Sequence, residues 1–386
     1  MKHILTLALC LFSLMISAQE QTDNRSRRHR PRPQMMAPTL DVEDHHVNAH
    51  GGCIIAHEGQ WLWYGEARPD RGFTSLGVNL YTAPIDSLPA DASHPLQRPW
   101  QPRGLVLSVV DEAGSPIERG CIIERPKVLW NAHTNLFVMI FHLELKGRGY
   151  EAAMTGFATS STPEGPFIFH HAQRPNANTW PEDFSEANIQ KAQALNEADY
   201  AKWWTPEWRV AVADGLLLKR DISRGQMSRD MTVFVDDDGT AWHIYSSEEN
   251  LTLQAAELTS DYLGYTGRYY RIAAGGQNEA PCIFKRDGTY WLICSGCTGW
   301  DPNEARMFSA RNIAGPWTQH PSPMRGPNAA KTFGGQGTWI WAALSPSTDL
   351  FFMADVWFPR SLSQSRHLSL PIRFHDDGTP VIEKVQ

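Results

Sequence analysis

The residues best suited to chemistry in this 386-residue chain are four polar side chains that each precede an aromatic strand. They are Glu124 in ERPKVLWN, Asp230 in DMTVFVDD, Glu279 in EAPCIFKR and Gln336 in QGTWIWAA. Hydrolysis of a glycosidic bond needs a proton donor for the leaving oxygen and an activated water on the opposite face of the sugar ring. Neighbours on one strand cannot face each other across a sugar, so such groups must come from different strand pairs. These four residues meet that condition.

The stretch around Glu279 shows the repeating unit most clearly. Residues 279–294, EAPCIFKRDGTYWLIC, form two apolar runs around an Asp-Gly turn, which predicts a β-hairpin. A Gly-rich loop, SGCTGW, follows and presents Trp300. The alternative interpretation of such a Glu is a solvated strand end. The recurrence of similar units along the chain favours a functional role.

Four further stretches repeat this arrangement without a fixed period. They are AHGGCIIAHEGQWLWYGE (49–66), ERPKVLWNAHTNLFVMIFH (124–142), RDMTVFVDDDGTAWHIYSSEEN (229–250) and GGQGTWIWAALSPSTDLFFMADVW (334–357). One such hairpin is too thin to bury its own faces, so packing around a common axis is the natural solution. The pattern therefore predicts an all-β fold, a five-bladed β-propeller whose leading polar residues converge on one funnel. A β-sandwich is the alternative, but it would not bring these residues together.

The region between blades two and three departs from this pattern. Residues 172–218 are acidic and rich in Trp, and SEANIQKAQALNEADYAKWW has a partly helical pattern. We interpret the region as an insertion on the propeller rim. Trp203 and Trp204 either wall a substrate cleft or pin the helix to its blade, and the sequence leaves both alternatives open.

Composition limits the classes of partner. The net charge is −7 and no basic stripe occurs in the body of the chain, which argues against nucleic acid. Fifteen Trp residues suit a protein that stacks indoles on sugar rings, although large β-proteins also bury Trp in their cores. Cys294 and Cys297 have the C-x-x-C spacing of some metal sites, but no second pair completes one. We therefore interpret them as structural cysteines.

The N-terminus has the features of an export signal. Residues 1–18 combine a short basic start, an apolar run and a Ser-Ala cleavage site, and the run is too short to anchor the chain in a bilayer. Residues 19–44 are basic and Pro-rich and predict a disordered leader. Residues 45–386 form the predicted propeller. We expect a monomer without a membrane span, exported to the periplasm or secreted.

Several motifs resemble glycoside hydrolase family 43 when taken together and in order. They are ERPKVLWN, SRDMTVFVDDDGTAWHIYSSEEN, EAPCIFKRDGTYWLICSGCTGW and ADVWFPRSLSQSRHLSLPI, and the resemblance covers roughly residues 45 to 385. Within the family the chain is most similar to the exo-β-1,3-galactanase branch. The resemblance implies a five-bladed propeller and an inverting exo-glycosidase that releases galactose from β-1,3-galactan or arabinogalactan.

The resemblance also implies roles for individual residues. Glu279 of EAP matches the general acid, and Asp230 matches a carboxylate that raises the acid's pKa. The family's usual Asp on blade one is missing, because the chain has Ala49-His50-Gly51 there. In the galactanase branch a Gln positions the attacking water instead, and Gln336 matches it. Its carbonyl could orient the water, or the side chain could act through an imidic-acid form. Glu124 matches a further acidic residue that either binds a sugar hydroxyl or serves as an alternative base.

Four residues are candidate substrate contacts: His50, Glu66, Thr298 and Trp300. For His50 the alternatives are a substitute base, because its ordinary pKa lies near working pH, or a ligand of water or an ion on the propeller axis. Trp300 is alternatively a loop-anchoring ring. The chemistry requires no cofactor and we assign no metal ligands, although a structural calcium ion on the propeller axis remains compatible with the sequence.

Two other functions remain open at the level of the sequence. One is an α-L-arabinofuranosidase of the same family that acts on plant glycans. The other is a carbohydrate-binding propeller without catalysis, an alternative that the missing Asp of blade one raises. Retention of Glu124, Asp230, Glu279 and Gln336 argues for the enzyme, because a binding protein has no need of a proton donor.

Overall fold

The computed structural model describes residues 36–87, 95–200, 205–342 and 349–384. The predicted signal peptide, most of the leader, and Trp203 and Trp204 lie outside these ranges. Within them, the strands form five sheets, and each sheet contains four antiparallel strands that are consecutive in the sequence.

Each sheet is one blade, and its strands follow one another outward from the centre. Blade one comprises β1 (His50–His57), β2 (Gln60–Ala67), β3 (Gly77–Pro84) and β4 (Gln101–Ser108). Blade two comprises β5 (Ile122–Asn131), β6 (Leu136–Glu144), β7 (Met154–Ser160) and β8 (Ile168–Gln173). Blade three comprises β9 (Met231–Val235), β10 (Ala241–Ser247), β11 (Thr252–Leu258) and β12 (Tyr265–Ile272).

The last two blades follow the same plan, with one addition. Blade four comprises β13 (Glu279–Arg286), β14 (Thr289–Ser295), β15 (Arg306–Ala310) and β16 (Thr318–His320). Blade five comprises β18 (Gln336–Ala342), β19 (Leu350–Val356), β20 (Arg366–Phe374) and β21 (Pro380–Glu383). The short strand β17 (Met324–Arg325) pairs in parallel with β21 at the outer edge of blade five.

The first strands of the five blades pack against one another in a closed ring. β1 contacts β5, β5 contacts β9, β9 contacts β13, β13 contacts β18, and β18 returns to β1. Apolar side chains of neighbouring blades fill the space between the sheets, as Tyr64 of blade one and Phe141 of blade two do. This arrangement confirms the five-bladed β-propeller predicted from the aromatic hairpins.

A shared irregularity shapes the head of the innermost strand in three blades. The register shifts between His50 and Cys53, between Glu124 and Lys127, and between Glu279 and Cys282. Within these shifts Gly51, Arg125 and Ala280 adopt left-handed backbone angles, with φ of 59°, 53° and 53°. Each is a β-bulge, which re-aims the side chains at the strand head and ends regular pairing there.

Helices occur between blades two and three, where the sequence predicted a partly helical insertion. They are α1 (Glu186–Ala194), α2 (Pro206–Ala213) and α3 (Leu216–Asp221). Ser185 caps α1 in a reciprocal capping box with Asn188. The guanidinium of Arg271, from β12, donates to the carbonyls of Val212 and Ala213 at 2.7 Å each and thereby ties α2 to blade three.

The propeller begins earlier than the predicted boundary at residue 45. Residues from Pro38 onward belong to the same compact unit as the blades. Leu40 bridges to His46, and Asp41 bridges to Trp100 of blade one. Composition alone placed the start of the propeller too late, because backbone pairing holds this short polar segment against blade one. Among the described residues, no helix has the length and hydrophobicity needed to cross a bilayer.

Side chains from blade five close the ring onto blade one. Asp355 accepts hydrogen bonds from the backbone N–H of Gly51 at 2.9 Å and pairs with Nδ1 of His367 at 3.1 Å. The rings of His50 and His367 stack with centroids 4.8 Å apart, and His46 lies 6.2 Å from His367. Three imidazoles thus share the seam between the first and last blades.

This seam should lose stability in acid. Burial and repulsion from His367 lower the pKa of His46 to about 4 and that of His50 well below the ordinary value of 6.5. The unfolded chain takes up these protons first, so the stabilisation is complete above about pH 6.5 and is lost as the pH falls below it. We expect the melting temperature to fall between about pH 7 and pH 5.

Calorimetry of the wild type and of His50→Gln tests this expectation. The variant should show a flatter dependence of melting temperature on pH, whereas His320→Gln, on the rim of blade four, should follow the wild type. Equal pH dependence in His50→Gln and the wild type would contradict the assignment.

Candidate active site

One cavity of about 340 Å³ lies where the heads of the five innermost strands meet. Every blade contributes to its wall. The lining residues are Glu66, Arg68, Phe73, Glu124, Arg125, His142, Tyr150, Arg229, Asp230, Asn250, Glu279, Gly299, Trp300, Gln336, Trp357 and Leu362. The four leading residues singled out in the sequence, Glu124, Asp230, Glu279 and Gln336, are therefore brought together.

The acidic residue that blade one places in the cavity wall is Glu66, which lies on the second strand of the blade and not on its innermost strand. His50 is fully buried, does not line the cavity, and directs Nε2 to the carbonyl of Ser365 at 3.3 Å. The bulge at Gly51 leaves room for Glu66 of β2 instead, because a Cβ at Gly51 would lie 2.2 Å from the Glu66 carboxylate. The position of His50 leaves it no direct contact with a sugar in this cavity, whereas Glu66 lines the cavity wall.

Of the two predicted substrate contacts on the loop after β14, Trp300 lines the cavity and Thr298 does not. Trp300 lines the cavity, is 46% exposed, and lies 5.9 Å from the ring of Trp357 and 5.9 Å from that of Phe73. Thr298 faces a different hollow on the outer side of the loop. Its hydroxyl donates to the carbonyl of Asp301 at 2.5 Å, so its place here is that of a loop-forming residue.

Arg125 is the centre of the polar network. Its guanidinium donates to Asp230 at 3.1 and 3.3 Å, to the Gln336 side-chain oxygen at 2.5 Å and to the Gly337 carbonyl at 2.9 Å. Its backbone N–H donates to Glu66 at 2.9 Å, and its guanidinium lies 5.6 Å from the ring centre of Trp357. One buried cation thus contacts groups from blades one, three and five.

Glu279 has the electrostatics of a proton donor. Burial, reinforced by the negative charge of Asp230, raises the pKa of Glu279 to about 8 although Arg125 opposes the shift. Its Oε1 accepts a hydrogen bond from the Gln336 amide at 3.0 Å, Oε2 has a long contact of 3.4 Å with Asn250, and the carboxyl group also hydrogen-bonds with the thiol of Cys297. Because Oε1 accepts from the Gln336 N–H, the proton of the neutral acid belongs on Oε2.

Gln336 uses all of its hydrogen-bonding capacity within the protein. Its oxygen accepts from Arg125 and, at 3.1 Å, from the indole N–H of Trp357. Its amide nitrogen donates to Glu279 and, at 3.1 Å, to the Ser295 hydroxyl. A side-chain amide offers two donors and two lone pairs, so none is left over. Two donors on the oxygen also favour the amide over its imidic-acid form, which would place a proton there.

Glu124 lies in a second ionic cluster on the opposite flank of Arg125. It accepts from Arg68 at 3.1 Å and from the Tyr150 hydroxyl at 2.8 Å, and it pairs with Nδ1 of His142 at 3.1 Å. The other ring nitrogen of His142 contacts Glu144 at 2.9 Å. Burial alone would raise the pKa of Glu124, but the bond with His142 and the charge of Arg68 lower it to about 2.

Glu66 and Arg68 form a buried pair beside this cluster. The guanidinium donates to one Glu66 oxygen at 2.7 and 2.9 Å, and both side chains are about 1% exposed. Burial and the neighbouring charge of Glu124 nevertheless raise the pKa of Glu66. A pair fixed in this way is suited to hold a sugar hydroxyl in one orientation.

One group of side chains in the described residues has a spacing that could hold a metal ion. Glu124, His142 and Asp230 each place one ligand atom within 4.8 Å of the others. The arrangement fits a metal poorly, because Arg68 and Arg125 already neutralise the carboxylates and both nitrogens of His142 face carboxylates. The cluster is better suited to binding several hydroxyl groups.

The sequence argument missed eight of the polar and aromatic residues of the wall. They are Arg68, Phe73, Arg125, His142, Tyr150, Arg229, Asn250 and Trp357. Arg125 follows Glu124 directly in the ERP motif and His142 ends the apolar strand FVMIFH, so both carried a signal in the sequence. Phe73 and Tyr150 come from loops without such a pattern and only the folded chain identifies them.

The fold and site define a propeller glycoside hydrolase, and comparisons identify its family. The model of the glycosyl hydrolases family 43 matches residues 216–380. A solved β-1,3-galactosidase of that family, with galactodeoxynojirimycin bound, is 49% identical, with a TM-score of 0.85 over 90% of this chain and 97% of that one. The chain therefore belongs to glycoside hydrolase family 43, as its motifs suggested.

Two further relatives are more distant. The exo-β-1,3-galactanase of Clostridium thermocellum is 30% identical with a TM-score of 0.70, and the match covers 90% of this chain and 64% of that one. A curated β-D-galactofuranosidase of Aspergillus niger is 28% identical over 117 residues. That match covers 30% of this chain and 34% of the relative, so this chain spans only about a third of it.

The charged state of His142 yields a prediction for stability. Burial would lower the pKa of His142, but hydrogen bonds to Glu124 and Glu144 raise it to about 9. A raised pKa stabilises the fold fully below the ordinary value of 6.5, and this stabilisation disappears as the pH rises through 9. His142→Gln should therefore lower stability by roughly 3 kcal/mol near pH 6 and by less near pH 10.

Urea unfolding of both proteins across this pH range measures the difference. His133→Gln, on an exposed turn of blade two, serves as the matched control and should behave as the wild type. A difference between His142→Gln and the wild type that stays constant with pH would show that His142 is neutral.

Proposed function

We propose that the protein is an exo-β-1,3-galactosidase that removes galactose, with inversion, from β-1,3-galactan and from the galactan backbone of arabinogalactans. The observation that carries this proposal is a partly buried Glu279 that lines the cavity beside Asp230, with its pKa raised to about 8, while Asp230 is paired with Arg125. The resemblance to a solved β-1,3-galactosidase at 49% identity supports the choice of substrate.

Glu279 is the general acid in this reaction. Gln336 holds Oε1 through its N–H, so the proton on Oε2 faces the glycosidic oxygen of a bound sugar. Transfer of that proton gives the leaving sugar as a neutral alcohol and leaves Glu279 as a carboxylate. The amide N–H of Gln336 then stabilises the new negative charge.

Asp230 supports the acid in two ways. Its negative charge disfavours ionisation of Glu279 and so retains the proton until the glycosidic bond breaks. The transition state of glycoside hydrolysis also carries positive charge on the sugar ring. A fixed carboxylate within the same cavity stabilises that charge, and the bidentate Arg125 contact keeps Asp230 in place.

Gln336 positions the attacking water in this proposal. Because all four of its hydrogen-bonding positions are filled, one bond must open when substrate binds. We propose that water replaces the bond from Trp357, because it is the longer of the two bonds to the Gln336 oxygen, at 3.1 Å against 2.5 Å from Arg125. Glu124 is the alternative base, but a carboxylate whose pKa lies near 2 accepts a proton weakly.

An α-L-arabinofuranosidase is the second candidate function. The partial match to a β-D-galactofuranosidase, an enzyme named for a furanose substrate, favours it. A non-catalytic sugar-binding propeller is a weaker candidate, because the burial of Glu279 beside Asp230 serves no purpose in binding alone.

We also propose the setting in which the enzyme acts. The signal-like residues 1–18 support export to the periplasm or secretion, and action on a polysaccharide outside the cytoplasm is consistent with it. We expect a monomer. The reaction needs only a proton donor, a water and groups that bind the sugar, so we propose that no organic cofactor takes part.

Product release from defined glycans tests the function. The wild type should release galactose from β-1,3-galactan, first as the α-anomer by proton NMR, because inversion changes the configuration. Glu279→Gln should lose about 10²–10⁴-fold in rate, the usual contribution of a positioned acid. Glu257→Gln, on β11 away from the cavity, should retain full activity.

The remaining outcomes of this assay separate the candidates. Arabinose alone, released from arabinogalactan, would replace the galactosidase with the arabinofuranosidase. Binding of both glycans without release of any sugar would leave the non-catalytic propeller.

The pH dependence of kcat/KM tests the acid directly. Activity requires protonated Glu279, so it should be present below pH 8 and lost as the pH rises through about 8. Asp230→Asn removes a charge that raises this pKa, so its alkaline limb should move to lower pH. Asp236→Asn, just after the end of β9 and away from the cavity, should leave the limb unchanged. An alkaline limb that is identical in Asp230→Asn and the wild type would contradict the proposed role of Asp230.

A further inference from the structure

Lys127 is a fully buried ammonium group that the proposed reaction does not use. It lies on β5 directly after the bulge at Arg125, and its side chain is 0% exposed. Nζ donates to the carbonyl of Gly51 at 2.6 Å and to that of Arg125 at 3.2 Å. Both acceptors belong to residues with left-handed backbone angles inside a register shift. Carbonyl groups in such bulges lose their hydrogen-bond donors on the neighbouring strand, and the ammonium group of Lys127 donates to them instead.

The surroundings of Lys127 place it on the axis of the propeller. Its charge interacts with Cys53 of blade one, Cys282 of blade four and Asp355 of blade five. It also lowers the pKa of His243 in blade three, after the larger effect of burial. A charge of blade two that acts on groups in all four other blades lies near the centre of the ring.

These neighbours fit a calcium ion poorly. Calcium takes six to eight oxygen ligands, largely from carboxylates, carbonyls and water. Here the inward carbonyls of Gly51 and Arg125 are already bonded to an ammonium, and the nearby thiols of Cys53 and Cys282 are soft ligands. The axial calcium that the sequence allowed is therefore not supported by the residues at this position.

We propose that Lys127 is the axial cation of this propeller and a positioning residue for the active site, acting through Arg125. The ammonium fixes the Arg125 peptide, and the Arg125 side chain in turn fixes Asp230 and Gln336. The inference rests on the proposed function only where it predicts turnover, because the positions of these groups are independent of the substrate.

Removal of the ammonium has a definite electrostatic consequence. The charge of Arg125 lowers the pKa of Glu279, against the larger effects of burial and Asp230. If Lys127 no longer fixes the Arg125 peptide, the guanidinium loses its fixed distance to Asp230 and offsets that carboxylate less well. Glu279 should then titrate at higher pH, an effect that general destabilisation of the fold would not produce.

The test compares Lys127→Met, which keeps the length of the side chain, with Val128→Ala, which removes core packing one residue along the strand. Carbon-13 NMR of glutamate-labelled protein, with the Glu279 signal assigned by Glu279→Gln, gives the carboxyl titration without substrate. We expect a higher titration midpoint in Lys127→Met and the wild-type midpoint in Val128→Ala. An unchanged midpoint in folded Lys127→Met would overturn the positioning role.

Two further measurements complete the test. On galactan, kcat of Lys127→Met should fall by about ten- to a hundred-fold with little change in KM, the cost of a misplaced catalytic group. A wild type that releases no galactose would refute the proposed function and leave the NMR test intact.

If Lys127→Met does not fold, Lys127→Gln, which keeps N–H donors without the charge, replaces it. The melting temperature of the wild type should be unchanged by EDTA or added calcium, and a loss of stability in EDTA would overturn Lys127 as the axial cation.

Discussion

The buried guanidinium of Arg125 is the interaction on which the rest of this site depends. It binds Asp230, Gln336 and the carbonyl of Gly337, which lie 105, 211 and 212 positions further along the chain, so distant parts of the sequence share one cation. A buried charge is costly unless several partners satisfy it, and removal of one partner from such a network costs about 3–5 kcal/mol. The blades are therefore held in register at the funnel by electrostatics as well as by the apolar core between them. The left-handed backbone of Arg125 is strain that this network offsets.

The same cation separates the behaviour of two neighbouring carboxyl groups. Asp230 has a bidentate partner in Arg125, whereas Glu279 is partly buried, meets the charge of Asp230, and has neutral hydrogen-bond partners such as the side-chain amides of Gln336 and Asn250. Enzymes assign acid and base roles by giving paired carboxyl groups different environments. Here the different environments of Asp230 and Glu279 depend on the β-bulges, because both Arg125 and Glu279 lie at a register shift at the start of an innermost strand.

Much of this fold follows from patterns visible in the sequence. Apolar alternation with Asp-Gly and Glu-Gly turns gave the hairpins, and a polar residue before each strand gave the funnel with Glu124, Glu279 and Gln336 in it. The failures have a common physical cause. A register shift of one residue turns side chains to the other face of a strand. Such a shift lies beside His50, which is buried away from the cavity, whereas the predicted contact Glu66 reaches the cavity from the neighbouring strand. No local pattern reports a shift of this kind, because it depends on contacts such as that between Gly51 and Asp355.

The contacts of Glu66 and Glu124 explain why the site has no acidic residue on blade one that could act as a base. A base on that blade would need a free carboxylate, yet Glu66 is locked to Arg68 and to the backbone of Arg125. Glu124 is likewise held by three donors, so neither carboxylate is free to act as a base. In the proposed reaction Glu279 protonates the leaving oxygen and Asp230 stabilises the ring cation, so bond cleavage advances before water attacks. Water adding to such a cation needs orientation more than deprotonation, since its own acidity rises as the new bond forms. An amide that orients water is then sufficient where a carboxylate base would otherwise be required.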